Sequence, residues 1–151
     1  MSSLTLHKIQ DVPLFYGCRR SQLEVIDRLG TALVVHSGRT LCHEGEPGSE
    51  FFVLVDGLVE VQSSGGVLAL MRGGAWFGEV ALLHHTSRRA TVRTVVDSEL
   101  LVFSRQEFAM LCHAAHEVRE RVEHTAALVA RGEKLTAQPW YQPVIDADPA
   151  A

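Results

Sequence analysis

Residues 77–92 read F-G-E-V-A-L-L-H-H-T-S-R-R-A-T-V, and the rest of the chain is organised around them. The stretch opens after Gly73-Gly74, a flexible turn. Gly78 and Glu79 lead into Val80-Ala81-Leu82-Leu83, a very short run that suits a helix. A short helix starting at a glycine offers unpaired backbone N–H groups to an anion. After a loop comes Arg88, whose planar donor fork suits phosphate. The carboxylate of Glu79 would repel a phosphate. Its presence makes sense if it accepts hydrogen bonds from a neighbouring hydroxyl, as a ribose provides. Amides, a guanidinium and one carboxylate together point to a nucleotide.

The flanks read as a β-rich scaffold. Leu33-Val34-Val35, Thr40-Leu41-Cys42, Phe51 to Val55, Leu58 to Ser63, Val67 to Met71, Ala90 to Val96 and Glu99 to Ser104 are short strands. Turn residues separate them, including the loop Glu44-Gly45-Glu46-Pro47-Gly48 and the turn Ser64-Gly65-Gly66. Asp56-Gly57 is a two-residue hairpin signal. Regularly spaced short strands with tight turns predict an antiparallel sandwich or barrel. Before the strands, Val12-Pro13-Leu14-Phe15 reads as a first helical turn. Ser21-Gln22-Leu23-Glu24 reads as a capping box for a helix that Gly30 ends. From Arg105 the pattern is helical: Phe108, Leu111 and Cys112 share a face. Val118, Val122, Thr125 and Val129 then form a narrow seam. That seam packs on its own sheet or pairs with a second copy.

The run F-G-E-x-A-L-L-x-x-x-x-R-x-A-T-V resembles the phosphate-binding cassette of cyclic nucleotide-binding domains. Such domains occur in protein kinase A regulatory subunits, cyclic nucleotide-gated channels and the catabolite activator protein. The run E-G-E-P-G-S-x-F-F-V-L-V-D-G-x-V-E-V is similar to that family's β-roll, so the resemblance covers roughly residues 12–115. It implies an α+β, mainly β fold: a jelly-roll-like antiparallel β-roll with an N-terminal helix, a short cassette helix and C-terminal helices. It also implies that Glu79 holds the ribose 2′-hydroxyl and Arg88 the cyclic phosphate, beside the amides of Ala81 and Arg89. The ligand-binding set is then Gly78, Glu79, Val80, Ala81, Arg88, Arg89, Ala90 and Val61. The residue after the cassette arginine is often small in the family, whereas here it is Arg89. The side chain of Arg89 reaches solvent, stacks on the purine or meets guanine acceptors. Cyclic AMP is favoured by family frequency, and cyclic GMP stays open.

The resemblance divides the chain into a lead-in, 1–11, a nucleotide-binding domain with its helices, 12–135, and a tail, 136–151. Polar, proline-rich tails are usually disordered. The tail nonetheless holds Trp140 and Tyr141, which either cap a purine or cover an apolar groove. In the catabolite activator protein the helix equivalent to the seam dimerises, so a homodimer is one reading of it. The implied role is a sensor whose C-terminal helix changes position on binding and acts on an effector protein. The alternative is a non-enzymatic interaction module whose β-roll binds no nucleotide.

Composition bounds these readings. The 151 residues carry a net charge of −4, which gives no basic footprint for nucleic acid. Three cysteines, Cys18, Cys42 and Cys112, are far apart and odd in number, which fits a reducing, cytoplasmic setting. No apolar run approaches membrane-span length and no signal-peptide core is visible. Cys112 and His116 supply two ligands on one helix face, short of the three or four a metal needs. The H-x-H pattern of metal-binding cupins is absent. So are G-x-S-x-G and a Walker lysine, and no catalytic constellation is found, so no enzyme is expected. The methionine start and short tail favour a complete small protein; no winged helix-turn-helix would fit after the last helix.

Overall fold

A computed structural model describes residues 6–64, 66–131 and 141–143, with residues 6–7 and 141–143 described by backbone alone. Helix α1 (Leu6–Gln10), a 3-10 turn (Pro13–Phe15) and helix α2 (Arg20–Leu29) precede the sheets. The strands are β1 (Thr31–Val35), β2 (Thr40–Cys42), β3 (Glu50–Asp56), β4 (Leu58–Ser63), β5 (Gly66–Arg72), β6 (Trp76–Phe77), β7 (Thr91–Thr94), β8 (Ser98–Ser104) and β9 (Tyr141–Pro143). Helix α3 (Glu79–His84) lies between β6 and β7, and α4 (Arg105–Ala114) and α5 (His116–Ala130) follow β8. One antiparallel sheet has the order β1-β8-β3-β6 and the other β2-β7-β4-β5-β9. The fold is thus mainly antiparallel β with flanking helices, as the sequence implies.

The apolar runs Phe51–Val55 and Leu100–Phe103 lack polar alternation because β3 and β8 are covered on both faces. On one face Phe51 meets Phe103 and Phe108 of α4, at ring-centroid distances of 6.0 and 4.8 Å. On the other face Phe52 stacks on Phe77 at 5.0 Å. Two aromatic layers therefore fasten the same strand, one to the helices and one to the cassette.

Local structure departs from the sequence expectations at the β3–β4 corner, the start of α2 and the strand before β8, and the lead-in and tail add elements of their own. Asp56-Gly57 does not close a hairpin: β3 pairs with β8 and β6, whereas β4 pairs with β5 and β7. Gly57 instead turns the chain from one sheet into the other at φ 127°, and a Cβ there would strike Ser98. The Ser21 capping box is displaced. Helix α2 starts at Arg20, and the Gln22 carboxamide accepts from the Arg19 N–H at 2.7 Å. Residues 6–10 of the lead-in are helical, and the strand expected over Ala90–Val96 is confined to Thr91–Thr94. In the tail, Tyr141–Pro143 pair antiparallel with Ala69–Met71 and cover the edge of β5.

The seam on α5 is used within the chain. Val118, Val122, Thr125 and Ala126 are all buried, and α5 packs on α3, α4 and the 3-10 turn. Among the described residues no helix is long and apolar enough to cross a membrane.

Candidate functional site

Helix α3 is only one and a half turns long, and left-handed residues bound it: Gly78 at φ 98° and His85 at φ 52°. A Cβ on Gly78 would sit 2.8 Å from the Glu50 carbonyl and 2.9 Å from Arg88 Nη1, so only glycine fits. The helix begins where Phe77 leaves the stacked pair with Phe52. The aromatic layer thereby fixes its position against β3.

Arg88 is buried, at 9% exposure. Its Nη2 donates to the Glu50 carbonyl at 2.7 Å and its Nη1 to the Gly78 carbonyl at 3.2 Å. The guanidinium carbon lies 5.8 Å from the centroid of the Phe52 ring. The fork is held by carbonyl dipoles and an aromatic face, and no carboxylate pairs with it among the described residues. Its charge is held in position by these groups, within electrostatic reach of Glu79. Arg89 is exposed and Ala90 is half-buried.

The loop after β2 clamps this charge in place. The Gly45 N–H donates to the Arg88 carbonyl at 2.9 Å, and the Arg88 N–H to the Glu46 carbonyl at 2.8 Å. Pro47 and Ser87 form an isolated bridge beside them. Gly48 faces the guanidinium so closely that a Cβ would lie 2.8 Å from Arg88 Cζ. Arg105, at the start of α4, donates from Nη2 to the Gly48 carbonyl at 2.8 Å. The turn-rich loop therefore lies on the cassette and is tied to the first C-terminal helix.

Glu79 is the second charged group, at 5% exposure. Its carboxyl accepts from its own amide, from the Val80 amide and from the Thr125 hydroxyl of α5, the last at 2.8 Å. Burial pushes its pKa up to about 7, against the pull of these donors and of Arg88. Val80 and Ala81 are buried in the same helix. The Ala81 amide lies in the first turn, where the helix itself supplies no acceptor. Val61 is half-buried in β4, opposite Val92 at the end of the cassette. Tyr141 lies on the outer edge of β5, and Trp140 lies outside the described residues.

Several groups at the site did not stand out in the sequence. Thr125 reads as one member of an apolar seam; its only signal is a hydroxyl among valines. Trp76, whose Nε1 donates to Thr125 Oγ1 at 3.1 Å, gives no signal of its own. Cys42 is also close enough to feel the charges of Arg88, Glu50 and Glu79, and burial raises its thiol to about 11. Among the described residues no three His, Cys, Asp or Glu side chains are grouped to hold a metal ion. An open cleft of about 500 Å³ between the 3-10 turn and the β3–β4 corner contains none of the cassette residues.

Comparison with known proteins agrees with this architecture. The family model described as "Cyclic nucleotide-binding domain" matches residues 32–115. A cyclic nucleotide-gated potassium channel, mll3241, of Mesorhizobium japonicum is 36% identical over 126 residues, covering 83% of this chain and 35% of the channel. A cAMP-dependent protein kinase regulatory subunit of Schizosaccharomyces pombe is 31% identical over 104 residues, 68% of this chain and 25% of the subunit. The chain thus spans about a third or less of these curated relatives. Among solved structures, Thermus thermophilus catabolite activator protein superposes with a TM-score of 0.66 at 28% identity, covering 80% of this chain and 57% of that one. The regulatory domain of Toxoplasma gondii PKA, solved with cAMP, gives 0.71 at 19% identity, covering 81% and 48%, a likeness of fold. The matched segment includes every strand from β2 to β8, the whole cassette and α4, and on that ground the chain belongs to the cyclic nucleotide-binding domain family.

Proposed function

We propose that this domain reversibly binds a cyclic mononucleotide, cyclic AMP in first place and cyclic GMP in second, and works as a regulatory sensor. The observation that carries the reading is the pairing of Arg88 and Glu79. Both are buried on one short helix and its loop, and among the described residues the Arg88 guanidinium donates to backbone carbonyls and makes no ion pair with a carboxylate. A cyclic phosphate would complete that charge, with the amides of Ala81 and Arg89 as further donors. The Glu79 carboxylate would accept from the ribose 2′-hydroxyl. Gly78, Val80, Ala90 and Val61 would wall the pocket, and Trp140 or Tyr141 would cap the purine. None of these residues forms or breaks a covalent bond in this reading, so the output is conformational.

That output runs through α4 and α5, which hold the clamp loop and Glu79 respectively. An effector protein would read their positions. A homodimer through the α5 seam is not part of this proposal: Val118, Val122 and Thr125 are buried within one chain, and of the seam only Val129 is half-buried. The free cysteines Cys18, Cys42 and Cys112 fit a cytoplasmic setting.

The test is calorimetric titration of nucleotide-stripped protein with cyclic AMP and, separately, cyclic GMP, beside Arg88→Ala. Saturable binding that the substitution abolishes is expected, and the ratio of the two affinities assigns the base. Absence of heat and of thermal stabilisation with both ligands would refute the reading and leave a β-roll that docks proteins.

A further inference from the structure

The Glu79 carboxyl already accepts from α5 before any ligand arrives. Two first-turn amides and one hydroxyl donate to it, and the hydroxyl comes from α5. Glu79 and Thr125 are 5% and 2% exposed, so a ligand hydroxyl that bonds this carboxyl must take the place of the Thr125 hydroxyl. The two amides belong to α3 itself and move with Glu79. Thr125 is the donor that can be exchanged.

Thr125 also has somewhere else to go. Its Oγ1 lies 3.1 Å from the Val122 carbonyl and 3.3 Å from the Arg121 carbonyl, both on the preceding turn of α5. A helical threonine commonly donates to such a carbonyl. The hydroxyl proton can therefore leave Glu79 for its own helix. Its oxygen can still accept from Trp76 Nε1. An ionised Glu79 that loses this donor bears a larger desolvation penalty. An incoming hydroxyl would restore what Thr125 withdraws.

We propose that the Thr125 hydroxyl occupies the place of a sugar hydroxyl on Glu79, so that a cyclic nucleotide takes this carboxyl from α5 as it binds. This rests on the nucleotide reading of the cassette and assigns a second function to the ribose contact. It makes the 2′-hydroxyl the group that releases the last helix. Affinity is then lower than the ribose contact alone would give, because one hydrogen bond is exchanged for another.

The test compares cyclic AMP with 2′-deoxy cyclic AMP on wild type, Thr125→Val and Thr125→Ser by calorimetry. Thr125→Val should bind cyclic AMP on the order of tenfold more tightly than wild type, the scale of one hydrogen bond to a charged acceptor. Its affinity for the 2′-deoxy ligand should be unchanged, and Thr125→Ser should follow wild type. Weaker binding of cyclic AMP by Thr125→Val, or equal changes for both ligands, overturns the exchange. Wild type that binds neither ligand overturns the nucleotide reading itself, and this proposal with it. Should Thr125→Val fail to fold, Trp76 emission in a Trp140→Phe background reports the same exchange with Thr125 intact. Cyclic AMP should shift that emission and the 2′-deoxy ligand should not; equal shifts overturn the proposal.

Discussion

Replacing Glu79 by glutamine should remove a pH dependence of stability that the wild type carries. Burial raises the Glu79 pKa from 4.5 to about 7 in the folded chain. Between those values the folded state holds a proton that the unfolded chain has released. Stability therefore falls as pH rises through this window, is least affected below pH 4.5, and has lost the full contribution above pH 7. Each pKa unit is worth about 1.4 kcal/mol, so the whole shift is worth about 3 kcal/mol, and most of it is lost between pH 5 and pH 8. For a domain of this size, that corresponds to roughly 5–10 °C in Tm. Glutamine cannot ionise, and its carbonyl still accepts from Thr125. The assay is thermal unfolding followed by far-ultraviolet circular dichroism at constant ionic strength, from pH 5 to pH 8. The gap in Tm between variant and wild type should move in favour of the variant as pH rises, by that amount. A gap that stays constant across the range would refute the claim that a buried, protonatable Glu79 sets the slope.

Three further outcomes follow from close approaches in the structure. Gly48→Ala places a Cβ 2.8 Å from Arg88 Cζ and should weaken nucleotide binding at least tenfold with a stability loss of about 1–3 kcal/mol, read by titration and by urea unfolding. Gly57→Ala forces an alanine to φ 127° against Ser98; the urea midpoint should drop by an amount equivalent to about 2 kcal/mol or more, while the affinity of the folded protein is retained. Arg105→Ala removes the donor to the Gly48 carbonyl and should speed nucleotide dissociation several-fold in stopped-flow displacement; an unchanged rate would separate α4 from the clamp.

The parts of the fold legible in the sequence are those whose signals are local. The cassette could be read because Gly78, Glu79 and Arg88 lie within one loop-helix segment, where spacing and chemistry coincide. The strands could be read from short apolar runs between turn residues. Asp56-Gly57 misleads because a hairpin and a corner between sheets ask the same of a glycine: a positive φ and no Cβ. Only pairing distinguishes them, and the partner of β3 is β8, more than forty residues on. Strand β9 was illegible for a similar reason, since Tyr141–Pro143 is too short to show a period and contains a proline. It forms because β5 offers an edge. Ser21 misleads differently: the reciprocal bond of a capping box is present, but Gln22 makes it to Arg19.

The polar wiring of the site is the part that sequence reasoning misses most. Glu79 and Thr125 are far apart in the chain, and so are Gly48 and Arg105. Each pair joins one half of the candidate site to one of the last two helices. Arg105 of α4 holds the loop that packs on Arg88, and Thr125 of α5 holds Glu79. The two charged groups proposed for phosphate and ribose are thus each secured by a different C-terminal helix. A ligand that engages both must act on α4 and α5 together, and can shift them only as far as it binds the new arrangement more tightly than the old. Phosphate contact alone would act on the α4 clamp. Ribose contact alone would act on Thr125. A nucleotide lacking either group should therefore move one helix without the other, which makes the pair of helices a test of whether the whole ligand is present.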